Sequence, residues 1–276
     1  MNTLASWWRQ RARTDIERRD AQCLLAGVLG YSKMQFFLAQ EQRLALADEQ
    51  LLDSLWQQRQ AGVPVPYLLQ KAWFWGMELH VTPEVLIPRP DTETLVSVAL
   101  QLPLPDLAKA VDLGTGSGAV VLALSQERPH WQLWATDLSL SALEVAKKNA
   151  LQYQQSVISF RQGRWVEAIT DLKVNLVISN PPYIAVEDPH LADLQAEPVL
   201  ALTAGDRGLA ALYELIETVA VVLEPQGWLL LEHGAFQGQE VREHLIQFGW
   251  QQVATHRDMA GRERVTQGCR DDRTGR

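Results

Sequence analysis

Apolar side chains recur at helical spacing through the first sixty residues of the chain. This region has few glycines and no runs of β-branched residues, and a Gly-Val-Pro-Val-Pro segment at 62–66 ends its last helix. Asp48 stands where its carboxylate can cap one of the helices. The pattern predicts a small helical domain over residues 1–72, with recurring apolar positions at Leu24, Leu25, Val28, Leu29, Leu44, Leu46, Leu51, Leu52, Leu55 and Trp56.

A partly alternating, aromatic stretch follows at residues 73–81. Pro83, Pro88 and Pro90 interrupt the pattern that comes after it. Alternation of this kind is typical of a strand pair, so we expect a short β-hairpin that serves as a linker over residues 73–90.

Short apolar runs alternate with helical segments beyond residue 91. This order is typical of a parallel α/β sheet, whose ligands bind outside the carboxyl ends of the strands. We therefore expect one ligand-binding α/β domain over residues 91–276. Its predicted strands lie at 110–113, 132–136, 174–179 and 228–232, and its predicted helices at 119–126, 141–151 and 209–223.

The composition describes a soluble globular protein of 276 residues with a formal net charge of -8. No apolar run reaches the ~20 residues that cross a bilayer and no secretory signal is visible, so we expect a cytoplasmic protein. Residues 81–276 carry 16 basic and 25 acidic side chains, which argues against direct nucleic-acid binding. Cys23 and Cys269 are far apart and the histidines form no metal-ligand pair, so we expect neither a disulfide framework nor a metal site.

A glycine-rich turn, Asp112-Leu113-Gly114-Thr115-Gly116-Ser117-Gly118, follows the first predicted strand of the sheet and precedes a helix. Three glycines in five positions let the backbone turn sharply and approach a ligand closely, while the helix start offers unpaired N–H groups. A plain strand-to-helix turn fits the same residues. A dinucleotide fold fits as well, because Gly114-x-Gly116-x-x-Ala119 satisfies a loose glycine pattern. The motif alone leaves these interpretations open.

Asp137 stands at the end of the next predicted strand, 23 residues beyond Gly114. A carboxylate at this place can accept hydrogen bonds from two ribose hydroxyls, although it can also cap the following helix. Asp112 lies two residues before the first glycine, and its negative charge suits an ammonium group better than a pyrophosphate. S-adenosylmethionine carries such an ammonium group.

The tetrapeptide Asn180-Pro181-Pro182-Tyr183 directly follows the apolar strand predicted at 174–179. A double proline alone indicates only a rigid loop. With the flanking residues, the Asn180 carbonyl and a backbone carbonyl can accept both hydrogens of a planar NH2 group, and an aromatic ring can stack on its plane. An amide nitrogen is a poor nucleophile, so fixing its orientation and favouring positive charge on it would promote methyl transfer. The motif contains no general base, and the proton can leave after the transfer.

These three elements in this order resemble those of the class I S-adenosylmethionine-dependent methyltransferases that act on planar NH2 groups. The closer resemblance is to the bacterial peptide chain release factor glutamine N5-methyltransferases. It spans essentially the whole chain and implies a Rossmann-like sheet with a small all-α amino-terminal domain. It also implies methyl transfer to the glutamine of the Gly-Gly-Gln motif in class 1 release factors. The segments that carry it are 18–21, 86–93, 112–118, 179–184, 230–234 and 263–265.

The resemblance assigns roles to individual residues. Trp165 would form a wall beside the adenine, Phe74 and the segment 88–90 would border the pocket or serve only as packing and linker, and the helical domain would dock the release factor. The catalytic residues implied are Asn180, Pro181, Pro182 and Tyr183. The S-adenosylmethionine contacts implied are Asp112, Gly114, Thr115, Gly116, Ser117, Gly118, Asp137, Trp165 and Asn180.

The pair Gly163-Arg164 departs from the family pattern, which usually has an acidic residue before Trp165 to accept from the adenine amino group. Arginine cannot accept a hydrogen bond, which motivates the alternative of a cofactor-binding scaffold without activity. Two enzymatic alternatives share the Asn180 loop. One is a glutamine methyltransferase acting on a ribosomal protein, and the other is an adenine N6 methyltransferase acting on a flipped base.

Overall fold

The computed structural model describes residues 2–270. The chain forms two compact units, of which the first ends at Lys71 and the second begins at Ala72. No helix within the described residues is long and apolar enough to cross a membrane.

The first unit is helical, as the spacing of its apolar residues predicts. Its second helix starts with a capping box in which Thr14 and Glu17 satisfy each other's backbone N–H groups. The expected cap at Asp48 is wrong, because the fourth helix begins at Leu46 and Asp48 lies in its first turn. The helices are α1 (Leu4–Arg11), α2 (Asp15–Leu29), α3 (Lys33–Leu38), α4 (Leu46–Gln60) and α5 (Val65–Leu69).

The predicted hairpin consists of β1 (Lys71–Phe74) and β2 (Met77–His80). Both residues of its turn have positive φ, 50° at Trp75 and 72° at Gly76, which is the backbone of a type I′ turn. The backbone N–H of His80 donates to Asn149 Oδ1 at 2.7 Å, which attaches β2 to the helix at 140–152 within the second unit.

The second unit contains a seven-stranded sheet. Its elements in chain order are α6 (Glu93–Ala99), β3 (Lys109–Leu113), α7 (Ala119–Glu127), β4 (Gln132–Asp137), α8 (Leu140–Gln152), β5 (Ile158–Gln162), β6 (Val174–Ser179), β7 (Ile184–Ala185), α9 (Val199–Leu202), β8 (Thr203–Ala204), α10 (Ala210–Thr218), β9 (Leu223–Glu232), α11 (Gly238–Gln247), β10 (Gln251–Arg257) and β11 (Glu263–Cys269).

The strand order across this sheet is β10-β11-β9-β6-β3-β4-β5. Strands β9, β6, β3, β4 and β5 run parallel, whereas β11 is antiparallel to β9 and β10. Leu113 pairs with Thr136 on one side and with Ser179 on the other, and Ser179 pairs with Leu231. The residues that follow β3, β4, β6 and β9 therefore emerge side by side at one edge.

Helices cover both faces of the sheet. Ala110 of β3 packs in one apolar cluster with Leu122 of α7, and its neighbour Val111 packs in the other cluster with Leu212 of α10. This alternation is expected for a strand buried on both sides. The α/β class and the helical amino-terminal region predicted from the sequence are confirmed.

Candidate active site at the carboxyl edge of the sheet

The glycine-rich turn forms a tight connection between β3 and α7. The N–H groups of Gly114 and Thr115 both donate to the Thr136 carbonyl at 2.9 Å, which ties the turn to the end of β4. Gly116 has φ 55°, and no atom lies within 4 Å of the position that a Cβ would occupy there. This glycine therefore presents its bare backbone to open space, as a ligand-binding turn requires.

Asp137 links the ends of two strands through its carboxylate. Its Oδ2 accepts from the Gly116 N–H and its Oδ1 from the Ser139 N–H, both at 2.9 Å. The cap of α8 is Ser139, whose hydroxyl accepts from Ala142 N. Asp137 therefore lies two residues before the cap, at the end of β4. Burial raises the pKa of Asp137, and the hydrogen bonds from Ser139 and Gly116 oppose that rise.

Asp112 lies beneath the turn as a buried carboxyl group. The Thr115 hydroxyl donates to its Oδ2 at 2.6 Å. Burial raises the pKa of Asp112 to about 7, the Thr115 hydrogen bond opposes the rise, and the nearby charge of Asp137 adds to it. A cation bound beside Asp112 would favour its ionised form.

Trp165 covers one side of the turn. Its ring lies 3.4 Å from the position that a Cβ of Gly114 would occupy. The backbone of Trp165 has φ 44°, in the left-handed region that costs an ordinary residue roughly 1 kcal/mol or more. The local fold therefore holds this aromatic ring against the turn in spite of backbone strain.

Arg164 has a partner that the sequence did not indicate. Its Nε donates to Glu214 Oε1 at 2.9 Å and its Nη2 donates to Oε2 at 2.5 Å. The guanidinium therefore forms a bidentate ion pair with this carboxylate on α10. Arg164 lowers the pKa of Glu214 through these hydrogen bonds. The departure from the family pattern at Arg164 thus has a structural use, which weakens the case for an inactive scaffold.

The Asn180-Pro181-Pro182-Tyr183 loop leaves β6 next to the glycine-rich turn. The hydroxyl of Ser179 donates to the Leu113 carbonyl at 2.7 Å, which joins the two strand ends. Asn180 Nδ2 donates to Thr92 Oγ1 at 3.2 Å. The Tyr183 hydroxyl donates to Glu232 Oε1 at 2.9 Å. Thr92 and Glu232 are contacts of the loop that sequence reasoning missed.

A pocket of about 360 Å³ opens beside this loop. Arg89 lies on its border and pairs with Glu197, whose Oε2 also accepts from the Ile87 N–H at 3.1 Å. Phe74 is buried in the apolar core and is not among the residues that line this pocket, which favours its packing interpretation. The lining residues are Leu86, Arg89, Asn180, Pro181, Tyr183, Ile184, Leu194, Ala201 and Leu202.

One acidic residue of the segment 86–93 has a structural role. Glu93 accepts from the Trp75 N–H at 2.8 Å and so supports the hairpin turn.

Among the residues that the structure describes, no group of three or more His, Cys, Asp or Glu side chains is arranged to hold a metal ion.

Comparisons with known proteins match both units. A family model described as PrmC N-terminal domain matches residues 5–69, and one described as Methyltransferase small domain matches residues 91–196. The chain is 44% identical over 256 residues to a release factor glutamine methyltransferase of Xylella fastidiosa, covering 92% of this chain and 93% of that protein. The chain belongs to the release factor glutamine methyltransferase family.

A second member of this family, from Escherichia coli, is 40% identical over 253 residues, which covers 91% of each chain. A solved methyltransferase from Pyrococcus furiosus shares the fold with a TM-score of 0.56 and 19% identity, over 78% of this chain and 99% of that one. The matching family model and the relatives show that the chain is a methyltransferase, and the dinucleotide-fold interpretation of the glycine-rich turn is set aside.

Proposed function

We propose that this protein transfers a methyl group from S-adenosylmethionine to the side-chain amide nitrogen of the glutamine in the Gly-Gly-Gln motif of class 1 peptide chain release factors. The observation that carries this proposal is the position of Asn180. Asn180 lines a pocket large enough for an amino-acid side chain, and its loop emerges directly beside the glycine-rich turn. The names of relatives at 40–44% identity support the substrate.

The residues around the glycine-rich turn fit S-adenosylmethionine. Gly116 leaves open space for a ligand, and Asp112 offers a buried negative charge to an ammonium group. Asp137 retains lone pairs for ribose hydroxyls, because each of its oxygens can accept more than one hydrogen bond. Trp165 offers an aromatic face to a planar base. The further contacts in this proposal are Gly114, Thr115, Ser117, Gly118 and Asn180.

The loop residues would orient the substrate amide. Asn180 Oδ1 and a backbone carbonyl of the loop accept its two N–H groups, which directs the nitrogen lone pair. When bound, S-adenosylmethionine supplies an electrophilic methyl group. The two acceptors favour the positive charge that builds on nitrogen as it is methylated. Pro181 and Pro182 stiffen the loop, and Tyr183 forms part of the pocket wall.

The helical amino-terminal unit is the proposed docking surface for the body of the release factor. A glutamine on a protein loop must enter the pocket while the rest of the factor stays outside, so a second binding surface would increase the effective concentration of the loop.

A release factor substrate would place the enzyme in the cytoplasm. We expect no direct contact with nucleic acid.

The test is a radiolabelled methyl-transfer assay with the purified protein and S-adenosylmethionine. The acceptors are a release factor, its Gly-Gly-Gln glutamine-to-alanine variant, a ribosomal protein fraction and unmethylated DNA. The proposal predicts label only in the unaltered release factor. Label in ribosomal protein or in DNA would favour one of the two enzymatic alternatives instead.

A further inference from the structure

Glu232 is a fully buried carboxyl group at the carboxyl end of β9. Its predecessor Leu231 pairs with Ser179 at the end of β6, so Glu232 emerges beside Asn180. A buried carboxyl group is costly unless hydrogen bonds or opposite charges compensate it. The residues that compensate Glu232 are therefore informative about what it does.

The compensating residues include Tyr183 of the candidate active site and Thr92, which contacts the same loop. The Tyr183 hydroxyl donates to Glu232 Oε1 at 2.9 Å. Burial raises the pKa of Glu232 to about 7, while the hydroxyl groups of Thr92 and Tyr183 and the charge of Arg264 oppose that rise. Glu232 Oε2 has no hydrogen-bond partner within the described part of the chain, so it is a buried acceptor. The hydroxyl hydrogen of Thr92 can turn toward this carboxylate.

Thr92 connects this carboxyl group to Asn180. Its Oγ1 accepts from Asn180 Nδ2 at 3.2 Å, and Thr92 is only 5% exposed. A hydroxyl has a single hydrogen, so a Thr92 that donates to Glu232 can only accept from Asn180. Asn180 Nδ2 therefore stays bonded to Thr92, and Asn180 Oδ1 is free to accept a hydrogen bond from a group in the pocket.

We propose that Thr92 and Glu232 are positioning residues that fix the orientation of the Asn180 amide, so that its carbonyl rather than its NH2 group faces the substrate. The inference rests on the proposed function, because it supposes a substrate NH2 group that needs an acceptor. An amide turned the other way would present N–H groups to the substrate N–H groups. The proposed hydrogen-bond chain Glu232–Thr92–Asn180 would join segments that lie far apart in the sequence and meet only in the fold.

The test compares two substitutions at Thr92. Thr92→Val removes the hydroxyl with little change in volume, whereas Thr92→Ser keeps it. We expect Thr92→Val to lower kcat for methylation of the release factor by about tenfold or more, and Thr92→Ser to retain most of the wild-type rate. Glu232→Gln should lower kcat as Thr92→Val does. The NH2 group of the new glutamine can donate to Thr92 and so reverse the direction of the hydrogen bonds that lead to Asn180.

Controls separate positioning from folding. Thr218→Val removes a hydroxyl that donates to the Glu214 carbonyl at the end of α10 and should leave methylation unchanged. The melting temperature and the S-adenosylmethionine affinity of Thr92→Val should match those of Thr92→Ser. Equal methylation by Thr92→Val and Thr92→Ser would overturn this inference and leave the proposed function standing. A wild-type protein that labels no glutamine would overturn both.

Discussion

Gly116 donates its backbone N–H to Asp137 Oδ2 at 2.9 Å, so the turn after β3 and the carboxylate after β4 form one connected structure. These residues are 21 positions apart in the chain and become neighbours because β3 and β4 are adjacent and parallel. The sheet therefore fixes the geometry of the proposed cofactor site. A substitution at Gly116 should have two effects that can be measured separately, one on ligand binding and one on stability.

Gly116 and Gly30 offer a matched pair of substitutions. Both have positive φ, 55° and 67°, and neither has an atom within 4 Å of a Cβ position. Alanine at either site should lower the free energy of unfolding by roughly 1 kcal/mol through backbone strain. Only Gly116→Ala should also weaken S-adenosylmethionine binding, because its methyl group enters the proposed ligand space. Calorimetric titration and urea unfolding measure the two effects, and equal affinities would contradict the assignment.

Asp112 makes stability depend on pH. Its pKa is about 7 in the folded chain and about 4 in an unfolded chain, so the folded state binds an extra proton between these values. The free energy of unfolding should therefore fall as pH rises from about 4 to about 7. Asp112→Asn should flatten this fall, whereas Asp106→Asn, at an exposed position, should not. Identical slopes in urea unfolding for Asp112→Asn and wild type would contradict the pKa shift.

Arg164 should matter little for cofactor binding. Its pair with Glu214 is partly exposed, with 54% of the Arg164 side chain accessible, so the pair contributes about 1 kcal/mol or less. Arg164→Ala should lower the melting temperature slightly and change the S-adenosylmethionine affinity by less than about threefold. A double-mutant cycle with Glu214→Ala measures the pair. A large loss of affinity in Arg164→Ala alone would mean that Arg164 acts in the site.

Asn180 should be essential for transfer and dispensable for folding. We expect Asn180→Ala to reduce the methylation rate by about tenfold to a thousandfold through loss of the amide acceptor. Asn175→Ala is the matched control, since Asn175 accepts from the Lys109 N–H at the far end of the neighbouring strand. The rates come from initial-velocity assays at saturating cofactor. Near-wild-type turnover by Asn180→Ala would remove Asn180 from the proposed mechanism.

The helical unit should matter more for a whole release factor than for a short peptide. Deletion of residues 1–70 should reduce the rate of methylation of the intact factor more than that of a short Gly-Gly-Gln peptide. Each rate is compared with that of the full chain on the same substrate. Circular dichroism establishes first that the shortened chain is folded. Equal losses on the two substrates would count against docking by this unit.

Some of the sheet could be predicted from the sequence, and some could not. The strands at 110–113, 132–136 and 174–179 match β3, β4 and β6 closely, because both of their faces are buried and they read as apolar runs. The helix predicted at 209–223 is shorter in the structure and ends at Thr218. Its apolar pattern continues through a short turn at 219–221 into β9, so the pattern alone does not mark the end of the helix. Strands β5, β10 and β11 were not predicted. The first two lie at the sheet edges and carry many polar residues.

The candidate site divides in the same way. Gly116, Asp137 and Asn180 each follow an apolar run, so the rule that ligands bind at the carboxyl ends of parallel strands was enough to find them. The placement of Glu232 depends on which strands are neighbours, and Thr92, which directly precedes α6, reaches the loop only in the fold. A single sequence does not say that β9 lies next to β6, and therefore it does not place Glu232 beside the Asn180 loop.

The most direct measurement is mass-spectrometric mapping of a class 1 release factor after incubation with the protein and S-adenosylmethionine. We expect one added methyl group on the peptide that contains Gly-Gly-Gln, fragment ions that place it on the glutamine side chain, and none when Asn180→Ala replaces the wild type. An unmodified Gly-Gly-Gln peptide, or a methyl group on another residue, would contradict methylation of this glutamine by the protein.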